Sequence, residues 1–160
     1  MSADNPILKG EVEPYWVMGG VIDVKLDAAQ TGGAFTLIEI VNPPGGGVPP
    51  HVHERDDETV VLVEGELTAL IEGVTTPMQA GDIVFVKRGV THAFFAGENG
   101  ARAVAITSPG GSESMLRDGA PRKEDDGPPP EVSDADIGAL MAAAAGAGLT
   151  FIPPEEGSGG

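Results

Sequence analysis

The sequence predicts an all-β domain, a small barrel or sandwich of short strands, with a short helical extension after it. Three observations carry this. Gly 24 and Pro 14 among 160 residues give a density of turns that long helices do not tolerate. Runs rich in Val, Ile, Thr and Phe recur between turn residues at intervals of roughly ten up to Thr107, the spacing of a sandwich or small barrel. No segment between those runs is long enough for the crossover helix that a parallel sheet needs. With 41% hydrophobic and only 4% aromatic residues, the chain has material for one core, built mainly of Val, Ile, Leu and Ala.

Taken in order, residues 1–14 are expected as a loosely ordered N-terminal arm. YWVM (15–18) and GVIDVKL (20–26) read as short strands split by Gly19-Gly20. Residues 31–41 form a clear strand, with Phe35, Leu37, Glu39 and Val41 on one face and Thr36, Ile38 and Ile40 on the other. NPPGGGVPP (42–50) stops it, because prolines and glycines in succession cannot continue a ladder. Strands are then expected around His51 and His53 and at 59–73, 82–86, 91–96 and 101–107, completing a barrel over residues 15–110.

The chain changes character after Thr107. SPGG turns it, SESMLRD (112–118) predicts a short helix, and PRKEDDGPPPEV (121–132) is a charged, proline-rich linker. Ser133 is placed to cap a helix with acidic residues in its first turn, alanines through its body and glycine at its end. LTFIPP adds a last extended segment. Residues 111–154 thus make a helical and extended C-terminal extension, and 155–160 a flexible tail.

A net charge of −16 and a pI near 4.2 repel a phosphate backbone, and no basic stripe offsets them. Nucleic acid and an anionic membrane face are therefore not expected as partners. The absence of cysteine excludes disulfides, thiolate catalysis and iron–sulfur clusters. The N-terminus lacks the apolar core of a secretory signal and no 18-residue apolar run occurs, so a cytoplasmic location is expected.

The chemistry concentrates in PPHVHERDDET (49–59). His51 and His53 share a face of an extended strand, because successive side chains alternate. If 49–53 and 58–64 are antiparallel neighbours, Glu58 returns close to both imidazoles. His92 starts another strand. An H-x-H pair alone is commonly surface decoration, and Arg55, Asp56 and Asp57 read as a solvated loop. Economy argues for a site: the chain has three histidines, and all three can converge. Three imidazoles and a carboxylate make a compact set for a divalent transition metal.

At these residues the sequence resembles the cupins. Their first motif, G-x5-H-x-H-x3-4-E-x6-G, is matched at every spacing by Gly45, His51, His53, Glu58 and Gly65. Their second, G-x5-P-x-G-x2-H-x3-N, is matched by Gly81, Gly89 and His92, with Lys87 in place of the proline and Ala96 in place of the asparagine. The resemblance spans about residues 15–108. It implies a double-stranded β-helix (jelly-roll) barrel holding one metal ion per chain on His51, His53, Glu58 and His92. Fe, Mn, Co, Ni, Cu and Zn all suit such a donor set. TGGAFTLIE (31–39), AGDIVFV (80–86), SPGG (108–111) and FIPP (151–154) look further like single-domain cupins similar to quercetinases.

What the resemblance implies is a metal-dependent enzyme acting on a small aromatic or enol-type substrate, a dioxygenase similar to quercetinase. An oxygen-independent cyclase, isomerase or lyase of polyketide-like molecules is the second reading, and a module that binds a small ligand the third. Glu58 then has a second role, as the base that takes a proton from an incoming hydroxyl. Counting by two from the ligands puts Val60, Leu62, Phe94 and Ala96 on the pocket wall. Small cupins commonly pair, so a homodimer is expected.

Overall fold

A computed structural model describes residues 6–153 and shows how the turn residues divide the chain. β1 (Glu13–Val17) and β2 (Gly20–Leu26) form a hairpin closed by Met18 and Gly19, both at positive φ as a tight two-residue turn requires. β3 (Thr36–Asn42) pairs antiparallel with β2 and carries the two expected faces. β4 (Gly47–His53) brings in the paired histidines. β5 (Asp57–Ile71) is a long strand whose outer edge takes β6 (Val74–Gln79) and β7 (Ile83–Val86). β8 (His92–Ser108) is the longest strand, followed by α1 (Ser114–Gly119), α2 (Asp134–Gly146) and β9 (Leu149–Phe151).

The sheet runs β1-β2-β3-β8-β4-β9, with β5 also paired to β8. The first part of β8 pairs with β4 and its second part with β3, while β5 follows it through both. One strand thus serves two walls, and the sheet curls into the expected all-β jelly-roll barrel.

The strands differ from the sequence reading in several places: residues 31–34 turn before β3 begins at Thr36, and Gly47–Pro50, expected to belong to a strand-stopping segment, already form the start of β4. The runs 91–96 and 101–107 are one strand, because the Gly97–Gly100 stretch bulges out of the ladder and both flanking runs pair with the same β5. The bend is matched on β5 by register shifts on either side of Gly65. Gly65 sits at φ +80°, and a Cβ there would lie 2.1 Å from the carbonyl oxygen of Gly100, so only glycine fits. β6 was not foreseen, because Pro77 interrupts its run. As an edge strand paired only with β5, it tolerates a residue that cannot donate.

Val60, Leu62, Leu67, Ala69, Met78, Ala96, Ala101, Ala103 and Ala105 make the barrel core. A second cluster joins Tyr15, Val17, Ile22 and Val24 of the first hairpin to Leu116 of α1 and Leu140 of α2. Burying those two leucines is what fixes the short helices on the barrel. α2 starts as the sequence suggests: the Ser133 hydroxyl accepts from the Asp136 N–H, and the Asp136 carboxylate accepts from the Ser133 N–H. β9 then adds to β4 at His51, Val52 and His53, covering the edge that carries the candidate ligands.

Of the expected N-terminal arm, residues 1–5 lie outside the described residues; Lys9–Glu11 form a 3-10 turn and Glu13 already belongs to β1. The expected tail, 155–160, lies wholly outside them. Among the described residues no helix is long and apolar enough to cross a membrane.

Candidate metal centre

His51, His53, Glu58 and His92 converge, all four buried, with one ligand atom of each within 4.8 Å of the others. Period-2 alternation on β4 points both of its histidines inward. His92 opens β8 directly opposite His51 in the ladder. The Gly89 N–H donates to the His53 carbonyl at 2.8 Å, which ties the turn before His92 to the strand carrying the other two rings. That turn closes with Lys87 in the proline position, through a bond from the Val90 N–H to the Lys87 carbonyl.

Glu58 arrives by a different route from the expected one. β4 does not pair with β5; it lies between β8 and β9, and β5 joins the sheet through β8. The carboxylate therefore meets the imidazoles across the barrel interior rather than along a hairpin.

The hydrogen bonds behind the rings decide what they present in front. His51 Nδ1 is 2.9 Å from the Pro49 carbonyl, and His92 Nδ1 is 2.9 Å from the Val90 carbonyl. A carbonyl only accepts, so both Nδ1 atoms carry the proton. His53 Nδ1 faces the buried Asp56 carboxylate. Each neutral ring then turns an Nε2 lone pair towards Glu58, whose Oε2 lies 2.8 Å from His92 Nε2 and 3.6 Å from His53 Nε2. Acceptors so close repel unless a cation or a proton sits among them. Donor atoms sharing one ion at bonds of ~2.1 Å stand roughly 3 Å apart when adjacent and about 4 Å apart when opposite. The four side chains fit a divalent transition metal, and nothing in the set selects among such metals.

Titration behaviour follows the same geometry. Burial pushes His51 down to about 4, with His92 and His53 adding to the shift. Burial alone would lower His53 too, but the hydrogen bond to Asp56 and the charges of Glu58 and Asp56 outweigh it, and its pKa is raised. Burial works against the Glu58 carboxylate, yet its close contact with His92 and the neighbouring imidazoles hold it below the usual range.

The centre opens into an apolar cavity. Of the expected wall residues, Val60 and Phe94 line it. Leu62 and Ala96 do not: they point inward as alternation requires but lie further along their strands, packed into the barrel core. Ile38 and Ile40 add to the wall, and the extension supplies Met115, Leu116, Leu149 and Phe151. Sequence reasoning also passed over Asp56, Thr107, Ser112 and Glu113. Asp56 had one available signal, its place three residues after His53, within reach of that ring.

A curled antiparallel sheet with three imidazoles and one carboxylate turned into an apolar cavity defines a metal-binding barrel protein. Residues 38–107, which include all four candidate ligands, match the family described as Cupin domain. Quercetin 2,3-dioxygenase of Bacillus subtilis (strain 168) is 27% identical over 95 residues, 58% of this chain and 28% of that one. Polyketide synthase CurC of Streptomyces cyaneus is 29% identical over 101 residues, 62% of this chain and 66% of that one. This chain thus spans less than two thirds of either relative. Among solved structures, KdgF from Halomonas sp. superposes with a TM-score of 0.59 at 20% identity, over 66% of this chain and 94% of that one, a likeness of fold.

Proposed function

We propose that this protein is a metal-dependent enzyme acting on a small, flat, oxygenated aromatic or enol, and that its reaction is a dioxygenation of the quercetinase type. The single observation behind this reading is the union of the four-ligand centre with an apolar cavity shaped by Phe94, Phe151, Ile38 and Ile40. A bound transition metal would supply Lewis acidity towards an enolate or catecholate oxygen and, where redox-active, a route for dioxygen. The protein's own residues do the rest. His51, His53 and His92 are held in one tautomer by their Nδ1 bonds. The aromatic and aliphatic wall orients a planar ring and excludes water. Glu58, besides its place among the ligands, receives the proton of the incoming hydroxyl.

A second reading has its own support. The likeness to polyketide synthase CurC covers more of this chain than the likeness to the dioxygenase does, which favours an oxygen-independent cyclase, isomerase or lyase of polyketide-like molecules. One experiment separates them. The protein is loaded in turn with Fe, Mn, Co, Ni, Cu and Zn and assayed with quercetin in an oxygen electrode. Dioxygen uptake matching flavonol loss, with a redox-active metal only, supports the dioxygenase. Turnover of a polyketide-like substrate with zinc and no oxygen supports the second reading.

The expected homodimer has a candidate face in β7, a four-residue edge strand carrying Ile83 and Phe85, 65% and 62% exposed. Sedimentation of the wild type and of Phe85→Glu tests it; a monomeric wild type removes it.

A further inference from the structure

The strand register aligns a second set of polar groups with the metal centre. Glu58 on β5 is the cross-strand partner of Thr107 on β8, and Thr107 is the partner of Thr36 on β3. All three are buried, and cross-strand partners project to one face. A polar row therefore leaves the candidate ligands and crosses the barrel wall. At its far end Thr36 is fully engaged: its hydroxyl donates to Glu113 and accepts from the Gly111 N–H at 3.0 Å. Thr107 differs. Its hydroxyl lies 2.7 Å from that of Ser112, both residues line the cavity, and among the described residues the two hydroxyls bond only to each other.

Two hydroxyls carry two protons and share one hydrogen bond, so one O–H and several lone pairs remain to offer. Ser112 comes from the turn after β8, and that turn is fixed because Glu113 accepts the Ala28 N–H at 2.9 Å and the Gly111 N–H at 3.1 Å. Away from the metal centre the pair shares a largely apolar wall with only two other polar residues, Asn42 and Glu113, and Thr107 lies about 5 Å from Glu58 at the cross-strand spacing.

We propose that Thr107 and Ser112 form a second substrate anchor, which hydrogen-bonds a hydroxyl or carbonyl oxygen lying on the same edge of the molecule as the chelating oxygens. The substrate class narrows accordingly, to polyoxygenated planar aromatics rather than those with a chelating pair alone. This rests on the reading of the cavity as a chelating substrate site and goes further in naming what distinguishes one ligand from another. Thr107 and Ser112 are positioning residues; they set which edge of the ring meets the centre.

The test is anaerobic titration of the zinc-loaded protein with two flavonols, followed by absorbance. Quercetin and 3-hydroxyflavone share the chelating hydroxy-ketone, and quercetin alone carries further hydroxyls. Thr107→Val and Ser112→Ala should each weaken quercetin about tenfold, the worth of one hydrogen bond, and leave 3-hydroxyflavone unchanged. Thr107→Ser should restore most of the difference, which a merely structural role would not produce. Thermal midpoints identify any variant that fails to fold, and Ser112→Ala, in the turn after β8, gives an independent second reading. Variants that bind both flavonols as the wild type does, or lose both equally, overturn the anchor alone. A wild type that binds neither flavonol overturns the chelating-site reading and the anchor with it.

Discussion

Asp56 holds His53 from behind, its Oδ1 2.5 Å from His53 Nδ1, with both side chains buried. The carboxylate fixes the tautomer that leaves Nε2 free and makes that nitrogen a better donor to a metal. Asp56→Ala should therefore weaken metal affinity by about 10- to 100-fold, and Asp56→Asn by less, since the amide oxygen still accepts. Competition against a chromophoric chelator measures this; an unchanged dissociation constant for Asp56→Ala would show that His53 needs no orienting partner.

The same contact sets the pH dependence of loading. A metal takes neutral imidazoles. His51, pushed down to about 4, is already neutral across the working range. His53, raised above its ordinary 6.5, must give up its proton when the ion enters. Affinity should rise with pH until it passes the His53 value, and occupancy should fall as pH drops below about 6.5. Calorimetry in two buffers of different ionisation enthalpy should register roughly one proton released per ion at pH 6.5. Removing the ion should also lower the thermal midpoint, since a free metal concentration of 100 Kd stabilises the fold by about 2.7 kcal/mol. A midpoint indifferent to chelator, in protein that copurifies with no metal, counts against the centre.

Glu113 joins the end of the barrel to the extension. Its carboxylate accepts from the Ala28 N–H, the Thr36 hydroxyl and the Gly111 N–H, three donors from separate parts of the chain. Glu113→Ala leaves these donors without their acceptor in a buried place and should cost on the order of 3 kcal/mol. Glu113→Gln, keeping one accepting oxygen, should fall between. Urea midpoints at constant m measure both; equal stability of wild type and Glu113→Ala would mean that water replaces the carboxylate without loss.

Much of this site is legible in the sequence, and the rest is hidden for identifiable reasons. The motif spacings bring His51, His53, Glu58 and His92 together because alternation and turn length are local properties. Alternation assigns a face but not a depth, which is why Val60 and Phe94 reach the cavity while Leu62 and Ala96 stop in the core. Asp56 looks like one more charge in a solvated loop until the turn folds it under His53. Ser112 and Phe151 come from the extension, beyond the barrel's strand pattern, and only the packing of the second cluster and the β4–β9 ladder delivers them to the cavity. The long β8 is obscured by glycines that mark a bend rather than an end.

Arg117 of α1 grips the first hairpin through Glu13, at 3.0 Å, and through Asp27, at 2.8 Å. Its guanidinium is the main reason that both carboxyls titrate below their usual 4.5 and 3.8. The sign follows from linkage. The unfolded chain binds protons before the folded one as pH falls, so the cluster's contribution is complete above about pH 5 and is lost as pH drops through the depressed values. The groups are partly exposed, so solvent screening limits the contribution to about 1 kcal/mol. Arg117→Ala should be less stable than wild type by that amount at pH 7, and the gap should close on approach to pH 3. A gap that persists at pH 3 would assign the loss to packing of the arginine stem against the hairpin instead of to its charge.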